Sequence, residues 1–218
     1  MEHQRNNPFL RMAAHLNPRV LFSVPTPSRR IALTIDDGPH EQVTPRILDV
    51  LAEHGAHCTF FITGGRVPGN EGPLTRMVEE GHEVANHMMS TLPSILLGTR
   101  RFHQELVRAH GTLEPYNVAP WFRPAFGYFS NGMLDQAERA GYRCVLGNIY
   151  PHDTKLRSVP LISRFVVSRA APGGIIILHD GKADRMRTPE VLATALPQLK
   201  RDGHEIVTVS ELVQSAVA

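Results

Sequence analysis

Five places in this sequence carry side chains able to do chemistry, and each follows a short apolar run. Asp36 and Asp37 come directly after Ile31-Ala32-Leu33-Thr34-Ile35, and Asn86 and His87 follow Val84-Ala85. Arg123 follows Trp121-Phe122, Asp153 lies just beyond the run ending at Ile149, and His179-Asp180 follow Ile175 to Leu178. Two adjacent carboxylates past a buried run raise one another's pKa unless a metal or a split acid–base role removes the conflict. A histidine beside a carboxylate suits a general acid. Each residue alone has a plainer reading. Asp-Gly-Pro is ordinary turn chemistry, a lone His87 is a satisfied core histidine, and Arg123 could cap a carbonyl or pair with a glutamate. Their conjunction at five equivalent places is what points to a site.

The elements that must position them alternate regularly. Strands are expected at Ile31–Ile35, Cys58–Ile62, His82–Asn86, up to Pro124, Tyr142–Ile149, Gly174–Leu178 and Glu205–Val209. Between them come helices opened by Thr44-Pro45, over Pro73–Glu80, in the segment reaching Leu113, over Asn131–Ala140 and Val159–Ala170, and from Thr188-Pro189 to Lys200. Glycines 55, 81 and 141 mark helix ends. Such alternation calls for a parallel α/β architecture, and about seven β/α units favour a closed or incomplete barrel over an open sheet. In such folds functional residues gather at the carboxyl ends of the strands, where all five places fall. Residues 1–30 read as an N-terminal arm with at most one short helix, and residues 31–218 as the domain proper.

Composition narrows the classes of function. The 23 basic and 21 acidic residues among 218 leave a net charge of +2, which argues against a broad nucleic-acid footprint. No stretch approaches the 18 apolar residues of a membrane span. Twelve histidines make the charge sensitive to pH between about 5 and 7. Cys58 and Cys144 sit in apolar runs and read as inert buried thiols. No secretory signal is legible, so the expectation is a cytoplasmic protein if the chain is full length and a secreted one if a signal was removed.

The motifs together resemble the polysaccharide deacetylase family (carbohydrate esterase family 4, the chitooligosaccharide deacetylase homology domain). Thr34-Ile35-Asp36-Asp37-Gly38-Pro39-His40 is similar to that family's first motif and Gly81 to His87 to the approach to its second. Arg123-Pro124-Ala125-Phe126-Gly127 resembles its third, and Ile177-Leu178-His179-Asp180 its fifth. The resemblance spans about Ile31 to Val213. It implies a distorted (β/α) barrel of seven or eight strands and metal-assisted hydrolysis of an acyl group, usually an N-acetyl on a sugar. It also implies roles: Asp36 as general base, Asp37 and His87 as ligands of a divalent metal such as zinc, His179 as general acid, and Arg123 as the group holding the base.

Two departures qualify the resemblance. The family's second metal histidine, four residues and so one helical turn after the first, is here Thr91, a poor zinc ligand that leaves the set one short unless Ser90, His103, His152 or water fills the place. The fourth motif has Asp153 without its usual tryptophan, with Arg123 as the expected partner of that aspartate. The expectations are therefore an acylated carbohydrate or small acylated substrate and a weakly held metal. The alternative is a deacetylase-like domain that has lost catalysis and binds a glycan or protein partner.

Overall fold

The computed structural model describes residues 17–216. Among these residues eight strands alternate with seven helices, beginning in the order β1 (Val20–Leu21), β2 (Arg30–Asp36), α1 (Val43–Glu53), β3 (Thr59–Ile62), α2 (Glu71–Glu79), β4 (Glu83–Asn86) and α3 (Thr99–Leu113). The second half continues with β5 (Trp121–Phe122), α4 (Asn131–Arg139), β6 (Arg143–Val145), α5 (Val159–Arg169), β7 (Ile175–His179), α6 (Arg187–Arg201), β8 (Glu205–Val207) and α7 (Val209–Gln214). Every strand pairing is parallel, in the order β1-β6-β5-β4-β3-β2-β7, with β8 against the amino end of β2. The sheet curls until its ends meet. Ile149 bridges to Ile176, and the Val24 N–H donates to the Gly173 carbonyl at 2.8 Å. This agrees with the closed or incomplete barrel that the alternation calls for and with the distorted barrel of seven or eight strands that the resemblance implies.

Period-2 alternation sorts the strand residues into two layers. Ile31, Leu33, Ile35, Phe60, Ile62, Val84, Ile176 and Leu178 face outward and pack under the helices. Ala32, Phe61, Ala85, Trp121, Val145, Ile175 and Val207 form the interior. Helix α7 stops the amino end of the barrel, placing Val209 and Leu212 in that interior cluster. It is pinned there by a Thr208–Glu211 capping box and by the Trp121 Nε1–H donating to Ser210 Oγ at 2.9 Å.

Two local expectations are corrected. The arm is part of the fold, because Val20 and Leu21 pair with Cys144 and Val145 as strand β1. Two residues are too short for a period to be legible in sequence. Residues 17–30 hold no helix, and residues 1–16, the rest of the stretch in which one short helix was considered, lie outside the described residues. Thr44 is not a helix cap: α1 begins at Val43, and the Thr44 hydroxyl, buried, is bound to Asp180. Both cysteines are free and buried, and burial pushes the Cys144 thiol up to about 12.

Candidate active site

The inward positions of the strands, followed to their carboxyl ends, become the polar residues of the site. On β2 the series Ala32, Thr34, Asp36 is inward, and on β7 the series Ile175, Ile177, His179. Trp121 leads two residues on to Arg123, and Ala85 to His87. Hydrophobic packing and the placement of the polar cluster are thus consecutive outcomes of one backbone period.

Asp36 is buried and its Oδ1 accepts from Arg123 Nη1. The same Nη1 donates to Thr34 Oγ1 at 2.8 Å, and Nε donates to the Val145 carbonyl at 2.9 Å. The guanidinium lies 4.0 Å above the Phe61 ring. Three polar anchors and an aromatic floor therefore fix the arginine that faces Asp36. Asp37 turns elsewhere. Its φ of 77° lies in the left-handed region, which redirects the chain so that the neighbouring carboxylates meet different partners.

Asp37 Oδ1 is 3.4 Å from His87 Nε2. The other ring nitrogen, Nδ1, is 2.9 Å from the Arg123 carbonyl, which can only accept, so Nδ1 carries a proton and Nε2 faces Asp37, with a lone pair in the neutral ring and a proton in the charged one. A carboxylate oxygen and an imidazole lone pair converge, an arrangement that a cation between them, or a proton on Nε2, relieves. Burial alone would raise the Asp37 carboxyl. The hydrogen bond and charge of His87, followed by His179 and Arg66, hold it far below the usual carboxylate range.

His179 is held by Asp153, whose Oδ1 is 3.0 Å from the ring Nδ1 and whose Oδ2 accepts from the His179 backbone N–H at 3.0 Å. Burial alone would lower this imidazole; the hydrogen bond and charge of Asp153, aided by Asp36 and Asp37, raise it to about 9. The sequence neighbour Asp180 does not orient His179. It is wholly buried, accepts from the Thr44 hydroxyl, and is pushed up by burial to about 7. Asp153 likewise does not pair with Arg123, whose carboxylate partner is Asp36.

Thr91 stands apart. Residues 87–93 form no helix, so a spacing of four residues does not place Thr91 one helical turn above His87, and Thr91 is exposed. His103 lies on an exposed position of α3, and His152 is exposed and tilted against Tyr150 at 4.5 Å. Among the described residues no group of three or more histidine, cysteine or acidic side chains could hold a metal ion. The donor set fits a divalent cation only as a two-residue site, Asp37 with His87, one protein ligand short of the three that a catalytic zinc site uses.

Sequence reasoning missed two members of the site. Thr34 braces Arg123, and its inward period from Asp36 was the available signal. Tyr150 lies 5.8 Å from the His179 ring and bonds Thr154 at 2.9 Å, supplying an aromatic beside the imidazole. Its place just ahead of Pro151-His152-Asp153 was the only hint.

Comparison with known proteins gives a consistent picture. The profile of the polysaccharide deacetylase family matches residues 23–145. A peptidoglycan-N-acetylglucosamine deacetylase of Bacillus cereus is 37% identical over 198 residues, covering 89% of this chain and 93% of the relative. The crystal structure of a peptidoglycan N-acetylglucosamine deacetylase, in complex with 4-naphthalen-1-yl-N-oxidanyl-benzamide, superposes with a TM-score of 0.86 at 28% identity, covering 90% of this chain and 93% of that one. A mutant with restored enzymatic activity, made from a carbohydrate esterase family 4 pseudoenzyme of Bacillus anthracis, superposes with a TM-score of 0.82. It is 25% identical, over 90% of this chain and 72% of that one.

Proposed function

The chain belongs to the polysaccharide deacetylase family, a family of hydrolases acting on non-peptide carbon–nitrogen bonds, and we propose that it removes the N-acetyl group from an N-acetylglucosamine-containing glycan. The observation that carries this reading is the pairing of Asp36 with Arg123 opposite that of His179 with Asp153, at the ends of adjacent strands.

In the proposed reaction Asp36 takes a proton from the water that attacks the amide carbon, while Arg123 stabilises its charged form. His179, protonated and aligned by Asp153, delivers a proton to the departing nitrogen. The carbon–oxygen bond forms, the carbon–nitrogen bond breaks, and acetate and a free amine leave. Asp37 and His87 are the residues that would hold a divalent cation, zinc in this proposal, whose chemistry when bound is polarisation of the acyl oxygen.

The test is acetate release from N-acetylglucosamine oligomers by zinc-supplemented protein, beside Asp36→Asn. Release that the substitution leaves intact would remove Asp36 as base. A second reading, a glycan-binding domain without turnover, is favoured by one observation: Thr91 is exposed and only two donors converge. Calorimetric binding of the same oligomers without acetate release, at saturating zinc, would select it.

A further inference from the structure

Six of the eight large apolar side chains that stand exposed among the described residues share one end of the barrel. Leu92, Ile95 and Leu96 lie on the β4–α3 loop, Phe126 and Tyr128 on the β5–α4 loop, and Leu156 on the β6–α5 loop. All three loops leave the carboxyl ends of their strands, so they surround the opening of the candidate site. The protrusion is marked: Leu96 is 78% exposed, Phe126 69% and Tyr128 63%. Their bases are anchored, since the Ala125 N–H donates to the buried Ser94 Oγ at 2.9 Å and joins the first two loops. Phe126 also holds a φ of 66°, an unfavourable backbone for a bulky side chain, while its ring stands in solvent.

Beside this apolar flank lies a cationic one. Lys155 and Arg157 bracket Leu156, and Lys182 stands on the neighbouring β7–α6 loop, which Arg185 Nη1 ties to the Thr154 carbonyl at 3.4 Å. All three cations are exposed, and none forms an ion pair among the described residues.

We propose that this rim is a docking surface for an anionic lipid bilayer, seating the mouth of the barrel on the membrane face. The chemistry separates a bilayer from the other occupants. Leucine and isoleucine tips offer little to a hydroxylated glycan but enter the boundary between headgroups and acyl chains, and adjacent unpaired cations meet anionic headgroups. Two copies joined mouth to mouth would set cation against cation. Docking would turn the candidate site toward glycans carried at the lipid surface. The proposal goes beyond the hydrolytic reading and stands or falls without it.

The experiment is co-sedimentation of the full chain with phosphatidylcholine vesicles, with and without phosphatidylglycerol, at low and high salt. Binding is expected to need phosphatidylglycerol and to weaken with salt. Leu96→Asp should reduce it at least about tenfold, and Lys155→Gln or Arg157→Gln about fivefold each. Because these side chains are exposed, the melting temperatures should stay unchanged. Arg139→Gln, in the last turn of α4 and so toward the opposite end, is the control and should bind like the parent. Three results would overturn the proposal: no sedimentation with anionic vesicles, equal losses for Arg139→Gln and Lys155→Gln, or a dimer in solution that Leu96→Asp converts to monomer. The last would assign the rim to a second copy.

Discussion

Asp36 and His179 are register partners on the adjacent parallel strands β2 and β7. Their backbones are therefore held at the inter-strand spacing of about 4.8 Å by the barrel's own hydrogen bonds. Both side chains occupy the inward face, and each has a buried partner approaching from another element, Arg123 from the end of β5 and Asp153 from the β6–α5 loop. The relative position of the proposed base and acid is thus a property of the sheet, and their orientation is a property of the partners.

Asp36→Asn separates chemistry from support. In the proposed reaction it should lower kcat by about 10²–10⁴-fold, the usual contribution of a general base. It also leaves the Arg123 guanidinium buried without its carboxylate, which costs about 3 kcal/mol. A urea titration beside the acetate-release assay reads both. Unchanged kcat in a variant that shows the expected loss of stability would exclude the role.

Asp153→Asn tests the imidazole. With its proton held to about pH 9 by Asp153, His179 is charged at neutral pH, and the alkaline limb of kcat/KM should fall near that value. Without the carboxylate, burial pulls the imidazole down, so the limb should move to lower pH while the acid limb stays in place. A limb that does not move would mean another group supplies the proton.

Thr91→His asks whether the missing ligand position is where the family pattern puts it. The variant should hold zinc against a competing chelator about tenfold more tightly than the parent. Equal affinities would mean that the irregular, non-helical course of residues 87–93 keeps position 91 away from Asp37 and His87.

His82 gives a pH dependence remote from the chemistry. Burial, with the charges of His57 and Arg76, lowers its pKa to about 4 from an ordinary 6.5. The unfolded chain therefore takes up a proton that the native state refuses. The stability is present above about pH 6.5 and is lost as pH falls toward 4, by up to about 3 kcal/mol. In His82→Gln that part of the acid-side loss should vanish from unfolding midpoints measured between those pH values.

Gly38→Ala should be costly although it adds one methyl group. A Cβ there would stand 2.5 Å from Oδ1 of Asp180, a buried side chain whose other oxygen is held by the Thr44 hydroxyl. A loss of about 2 kcal/mol is expected in the same denaturant assay. A neutral result would show that the Asp180 carboxylate is free to withdraw.

Much of this was legible because the signals were local. Long apolar runs bounded by glycine or by polar pairs disclosed β2, β3 and β7; the ends of β2 and β7 disclosed Asp36, Asp37 and His179, and the short run Trp121-Phe122 disclosed Arg123. What was hidden depends on three dimensions. Val20–Leu21 becomes a strand only because Cys144 and Val145 offer an edge. The partner of His179 is Asp153, across a loop, rather than its neighbour Asp180, because successive side chains at a strand end point to opposite sides. The four-residue spacing from His87 to Thr91 suggested a helical turn, and the backbone there follows an irregular path.

The closure of the barrel has a consequence for the order in which the molecule can be made. Strand β2 emerges early, yet two of its three partners, β7 and β8, come from the last quarter of the chain, and β1 waits for β6. During synthesis the edge of β2 that receives β7 must stay unpaired until Ile175–His179 has left the ribosome. Contacts so distant in sequence make for slow folding and a long interval of exposed apolar edge. A nascent chain stalled before β7 should be a target for chaperones, and the two halves of the protein should not be separable into independently folding pieces.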